Sequence, residues 1–384
     1  MRCHTLRRLL QVRSSLLAIM CSGMFTEGLL AASVLCDTNN VAVIEKALVT
    51  IGAGHVRTLT SGGLWVDLKD SNILDDKLAY LKETKITHLD LSGCSNITDI
   101  ASIHGLHLRW CLLERTQVKD LSPLRGMDLE LLQLVGTPVE DLTPLRGMRL
   151  KSLFFDGTSI ADIGVLEGMG LLQLDLRGTM VTNIGALRGM PLVSLALDHT
   201  PVSDISVLKG MSNLHHLSVA HTRVMDLKPL AGMKLRYLHI NSTDVSDIGP
   251  LRGMPLITLS LMDTDVKDIS ELAGMGVEDL SLPPEAMRNS KDVITSLPKL
   301  RILNGKLYGS AGTMPFTSEL EDVYQESTNG VYGPIDMNAW REQNVLFLKD
   351  TNTMQLRIQL LPTTLVPYTV PKLNAPGTDN NNSE

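Results

Sequence analysis

Apolar residues return along this chain at one fixed spacing. A representative stretch reads Leu129-Glu-Leu-Leu132-Gln-Leu134-Val-Gly-Thr137-Pro-Val139-Glu-Asp141-Leu142-Thr-Pro144-Leu145-Arg-Gly-Met148, or L-x-x-L-x-L-x-x-T-x-V-x-D-L-x-P-L-x-G-M. Thr falls at 116, 137, 158, 179, 200, 222, 243 and 264, in steps of 21 with one step of 22. A Gly-Met pair follows each Thr, from Gly126-Met127 to Gly274-Met275. Two independent markers that keep one register through eight units define a structural repeat.

The pattern within a unit predicts its elements. Leu132 and Leu134 alternate, so both side chains leave one face of a short strand. That face turns inward, and each strand pairs with the strand of the next unit to build a parallel sheet. Thr137 ends the strand, its hydroxyl placed to satisfy buried backbone groups at the turn. Val139, Leu142 and Leu145 fill the core from the other side. Asp141 opens the opposite segment as a helix-type N-cap, Pro144 suits its first turn, Gly147 closes it and Met148 plugs the gap before the next strand.

The first part of the unit matches the leucine-rich-repeat signature L-x-x-L-x-L-x-x-N/C, with Thr mostly in place of Asn. Cys94 takes that slot in an earlier unit, and Cys111 takes a second Leu slot. The later part, V-x-D-L-x-P-L, resembles the repeats of bacterial internalin-like proteins, over roughly residues 85–282. The resemblance implies an α/β repeat solenoid: a leucine-rich-repeat horseshoe or arc with a parallel concave β-sheet and short helical or 3-10 convex segments. It also implies protein recognition, without naming the protein recognised.

Five stretches follow. In residues 1–36, Arg2, Arg7, Arg8 and Arg13 precede an apolar run from Leu16 to Phe25. Small residues at Cys21-Ser22-Gly23 and Ala31-Ala32-Ser33 suit the end of a secretory signal. Ser14–Cys36 is also marginally long enough for an uncleaved membrane anchor, although Glu27 sits badly in it. Cleavage after Ser33 would remove four Arg and one Glu and take the net charge from −7 to −10. Residues 37–84 read as an N-terminal cap: a helix through Val41, Ile44, Leu48 and Ile51, a hairpin around Ser61-Gly62-Gly63, and a second helix through Ile73, Leu74, Leu78 and Leu81. The repeats span 85–282. Pro283-Pro284 breaks them, and 283–305 reads as a C-terminal cap with a final helix and strand. Residues 306–384 form an extension of unassigned fold, with alternation at Met354–Leu360 and a polar disordered end.

Composition narrows the function. Hydrophobic residues make up 43% of the 384 positions and aromatics only 4%, so the core is aliphatic. A net charge of −7 without basic clusters removes the footprint that nucleic acid requires. Five Cys show no zinc spacing, and Cys94 and Cys111 read as small buried hydrophobes. No phosphate loop, dinucleotide fingerprint, nucleophile elbow or metalloprotease motif is present, so no enzyme is expected. No cofactor is expected either. The Asp series from Asp99 to Asp268 invites a calcium ladder, but Asn183 interrupts it and capping needs only one residue per unit. His199, His215, His216, His221 and His239 gather in neighbouring repeats without a carboxylate or Cys to complete a zinc set, and no metal site is assigned.

The slots between the Leu positions face outward. There the chain places Trp110 and Leu112, then Leu131, then Phe154, over neighbouring strands. Such a patch on a face that should be solvated marks a partner site. Glu114, Asp156, Asp175 and Asp198, with Arg177, form its polar rim. His216, Tyr237 and His239 make a second, more polar candidate. The alternative is that the C-terminal extension or the N-terminal cap folds over the patch. The expected function is an exported, non-catalytic protein-binding module with its partner on the concave face. It touches a membrane only if the first segment is an uncleaved anchor. The alternatives are an envelope-associated repeat protein tethered by its tail, and an enzyme subunit with its chemistry in the C-terminal extension, where Asp336, Arg341, Glu342 and Asp350 lie.

Overall fold

One repeat explains the rest. In Leu129–Met148 the strand is only Leu131–Gln133. Leu132 at its centre and Leu134 just beyond are both fully buried. The chain then turns through Gly136 in the left-handed region (φ +62). Thr137 Oγ1 donates to the Leu134 carbonyl at 2.6 Å and closes the turn. Asp141 Oδ1 accepts the Thr143 N–H at 2.7 Å and opens the 3-10 helix Thr143–Leu145, which carries Pro144 in its first turn. Gly147 follows at φ +72, with no atom within 4 Å of where a Cβ would stand. The backbone angle, and not space, demands glycine there. Met148 is buried, as the plugging role requires.

Two details differ from expectation. Asp141 sits one residue before the N-cap Leu142, so it makes an Asx-type turn instead of a true cap. Asn183 makes the same bond to Gly185 N–H at 2.8 Å, so the position needs an acceptor oxygen and not a charge. The expected helix over 73–81 is a 3-10 helix, Asp75–Leu81, with Leu74 exposed ahead of it. Leu78 and Leu81 are three residues apart, the spacing that eclipses in a 3-10 turn, and both are fully buried.

The computed structural model describes residues 38–59 and 63–307. The expected signal or anchor segment, the alternating stretch Met354–Leu360, the polar end and Asp336, Arg341, Glu342 and Asp350 lie outside the described residues. The chain divides into two units, one up to Val202 and one from Ser203.

Among the described residues the first unit opens with helix α1 (Thr38–Ile51) and an antiparallel hairpin, β1 (His55–Thr58) and β2 (Leu64–Asp67). From β2 the sheet grows by parallel addition. The added strands are β3 (His88–Asp90), β4 (Trp110–Leu112), β5 (Leu131–Gln133), β6 (Ser152–Phe154), β7 (Gln173–Asp175) and β8 (Ser194–Ala196). Their central residues Leu89, Cys111, Leu132, Leu153, Leu174 and Leu195 form one buried row. Val118, Val139, Ile160 and Val181 close the core from the opposite side. Each buried Leu contributes about 1.5–3 kcal/mol relative to exposure, so stability accumulates unit by unit. Cys111 belongs to this row, and burial pushes its thiol up to about 12. Cys94 Sγ contacts the Leu68 carbonyl at 3.0 Å.

The second unit repeats the scheme in β9 (His216–Ser218), β10 (Tyr237–His239), β11 (Thr258–Ser260) and β12 (Asp279–Ser281), all parallel. Pro284 then opens helix α2 (Pro284–Asn289), followed by α3 (Lys291–Ser296). Strand β13 (Ile302–Leu303) adds in parallel to β12, and β14 (Lys306–Leu307) turns back on it antiparallel.

Candidate protein-binding face

The first and third residues of every repeat strand point away from the core, and in-register pairing lines them up in two rows. In the first unit one row begins Trp65, His88, Trp110, Leu131, since Trp65 pairs with His88, His88 with Trp110 and Trp110 with Leu131. The other begins Asp67, Asp90, Leu112. The His88 ring stacks on Trp65 with centroids 5.8 Å apart and an interplanar angle of 11°. Trp110 meets His88 edge-on at 4.3 Å and 78°. Thr87 Oγ1 lies 2.7 Å from His88 Nδ1. Burial, with Arg109 nearby, pushes His88 down to about 4, so the imidazole is neutral near pH 7. The sequence pattern left Trp65 and His88 out of this face: β2 looked like half of a hairpin, and His88, in the repeat strand beside Trp110, is a polar residue in an outward slot. The signal was present: a large ring two residues before Asp in Trp65-Val-Asp67 and in His88-Leu-Asp90.

The row of carboxylates is unevenly paired. Asp67 lies 3.2 Å from Arg57 Nη2 and 3.2 Å from His55 Nε2. Asp90 Oδ1 accepts the Ser92 N–H at 2.9 Å. Burial raises the Asp90 carboxyl above its ordinary range, and the adjacent Asp67 adds to the rise. Along the opposite edge Arg109 pairs with Glu130, and Lys151 lies 4.0 Å from the same carboxylate. Glu114 accepts from Gln133 Nε2 at 2.7 Å.

The expected patch is only partly open. Trp110 and Leu112 are half-buried. Leu131 is 1% exposed and Phe154 3% exposed, which corrects the expectation that both face solvent. Leu131 packs in register between Trp110 and Ser152, and Phe154 between Gln133 and Asp175. Of the expected rim, Asp175 is 1% exposed and not a solvated rim residue. Its two oxygens bind Arg177 Nε at 2.9 Å and Nη2 at 2.8 Å, and Asp156 stands 3.7 Å from the same guanidinium. Burial opposes the Arg177 charge, but Asp175, Asp156 and Asp198 together hold its pKa above the ordinary value.

In the second unit His216 lies flat on Tyr237, with centroids 4.4 Å apart and planes 9° from parallel. The register explains it: Tyr237 pairs with His216, whereas His239 pairs with Ser218. Burial pushes both His216 and His239 down to about 4. His199 and His221 both occupy the left-handed turn slot, at φ 57 and 54. Among the described residues no group of three or more His, Cys, Asp or Glu is placed to hold a metal ion.

No family model matches the chain, and no curated protein matches it. Solved structures do. The internalin InlF of Listeria monocytogenes is 22% identical over 71% of this chain and 88% of its own, with a TM-score of 0.52. Internalin C2 of the same organism is 25% identical over 55% of this chain and 76% of its own, at a TM-score of 0.32. InlJ, also from Listeria monocytogenes, is 18% identical over 62% and 57%, at 0.45. At 22% identity the likeness to InlF is one of fold. The chain has the leucine-rich-repeat fold, the fold it shares with InlF.

Proposed function

We propose that this chain is an exported, non-catalytic protein-binding module of bacterial origin, which holds its partner on the outward face of the repeat sheet. One observation carries this reading: the tryptophans Trp65 and Trp110 stand half-buried on a sheet face, packed around a neutral histidine. Half-exposed rings locked by their neighbours bind a partner at low entropic cost. The centre of the contact is then Trp65, Trp110 and Leu112, with His216, Tyr237 and His239 as a second, more polar surface.

The near-complete burial of Leu131 and Phe154 favours a second reading for that part of the face, in which it is closed within the protein and stabilises it. No helix among the described residues is long and apolar enough to cross a membrane. The export assignment rests on the Arg-rich, then apolar, order of residues 1–36.

Affinity capture with the full chain, and with residues 308–384 removed, tests the function. Recognition by the repeats survives the deletion. Loss of all capture would transfer the function to the tail. A fusion of residues 1–40 to a reporter tests export: the reporter crosses a bacterial inner membrane, and cytoplasmic retention would remove the assignment.

A further inference from the structure

We propose that the row Trp65–His88–Trp110, with Asp67 and Asp90 two residues further along the same strands, receives an arginine or lysine side chain of a polypeptide partner. The assignment rests on the outward face being the binding surface, and names the chemistry it selects.

Two rows in register make the receptor. Rings stand at Trp65, His88 and Trp110 in one row and carboxylates at Asp67 and Asp90 in the next, followed by Leu112, and Asp67 pairs directly with Asp90 across the parallel ladder. Two residues of strand span roughly 6.6 Å, which suits a side chain whose alkyl stem lies on the rings and whose cation reaches the carboxylates. Tryptophan offers the strongest ring face to a cation. Like charges placed directly opposite one another on a sheet are destabilising. Asp67 has Arg57 as counter-ion, but the Arg57 side chain is 63% exposed, so the pair is weak and open to exchange. That pair shows, within the protein, that the carboxylate accepts a guanidinium. Asp90 is 7% exposed; it accepts the Ser92 N–H and feels the charge of Lys69, but among the described residues no cation forms an ion pair with it. A buried carboxylate in that state calls for a charge from outside. Burial raises the Asp90 carboxyl and Asp67 adds to the rise, against the lowering effect of the Ser92 hydrogen bonds and of Lys69. Neutral His88 adds no competing positive charge at pH 7.

The test uses the full chain and two peptides, acetyl-Ala-Leu-Arg-Leu-Ala-amide and the same peptide with citrulline, the neutral isostere, in place of arginine. Two of the three tryptophans in the chain, Trp65 and Trp110, lie in the site, so intrinsic fluorescence reports binding and calorimetry confirms it. The arginine peptide is expected to bind about tenfold more tightly than its twin, with affinity falling as salt rises. The double variant Asp67→Asn, Asp90→Asn is expected to erase that difference while keeping its melting transition. Equal binding of the two peptides, persistence of the difference in the variant, or no binding up to millimolar peptide overturns the assignment. The peptide comparison needs no variant, so it stands even if the double variant fails to fold. If the peptides do not differ while Trp110→Ala still abolishes capture of a protein partner, only the cation assignment falls. If Trp110→Ala leaves capture intact, the face itself has been misidentified.

Discussion

Thr158 Oγ1 donates a hydrogen bond to the carbonyl oxygen of Phe155 at 2.7 Å, with both residues buried. The same bond recurs from Thr116 to Leu113, from Thr179 to Leu176 and from Thr243 to Ile240. It adds a side-chain donor to a buried strand-end carbonyl, which at Leu113 and Leu134 also accepts the backbone N–H of the same Thr. The hydroxyl bond is what separates Thr from Val at a buried position otherwise suited to a β-branched apolar residue. Thr158→Val keeps the shape and removes the donor. It is expected to cost about 1–2 kcal/mol, read as a lower urea midpoint at unchanged slope. Thr158→Ser is expected to retain most of the bond and lose only a methyl. Equal stability of the Val variant would show that the hydroxyl is dispensable.

Leu195 lies at the centre of β8, 1% exposed, in the buried row of the first unit. Leu195→Asp puts an unpaired charge between stacked repeats, a change expected to cost more than about 3 kcal/mol. Each repeat is stabilised chiefly by its neighbours, so the damage spreads to the units on either side. The expected result is a broad, non-cooperative unfolding curve by circular dichroism. A sharp transition at the wild-type temperature would mean that the repeat register is wrong.

Most of the fold was legible because one rule was written many times. Each unit of Leu, Thr, Asp, Gly and Met agrees with the next, so errors in a single unit could not shift the register. The ends were harder, since they lack that redundancy. Leu74 fitted a helical face by spacing, yet it is exposed and the segment after it is 3-10. The candidate site was half legible. Period-two alternation correctly places Trp110 and Leu112 on the outward face, but alternation carries no information on lateral packing. Phe154 and Leu131 therefore read as open although they are buried. Trp65 escaped notice because it belongs to the row only through the β2–β3 pairing, which joins a hairpin to the repeats, whereas His88 stands in a repeat strand directly beside Trp110.

Histidine burial gives the protein a pH dependence of defined sign. His88 titrates near 4 in the folded chain, against an ordinary value of 6.5. Between those values the unfolded chain binds more protons, so stability falls as pH drops from 6.5 towards 4 and loses nothing further below. At pH 5 the loss from His88 alone is about 2 kcal/mol. His216 and His239 shift in the same direction and add to it. Asp90 shifts upward and acts oppositely, so the measurement compares wild type with His88→Phe. The variant keeps a ring between Trp65 and Trp110 and is expected to lose less melting temperature between pH 7 and pH 5. Identical losses in the two proteins would contradict a buried neutral His88.

The claim that the outward face binds a protein is tested most directly by Trp110→Ala combined with Leu112→Ser. Both side chains are half-buried on strand β4, clear of the buried row through Cys111. The pair therefore removes contact surface while leaving the core in place. The measurement is quantitative capture of the partner isolated with the wild-type chain, made beside thermal melting of the same samples. The expected result is a melting temperature within a few degrees of wild type and affinity reduced at least about a hundredfold, as for the loss of a central aromatic anchor. Full affinity in a stably folded double variant would contradict it.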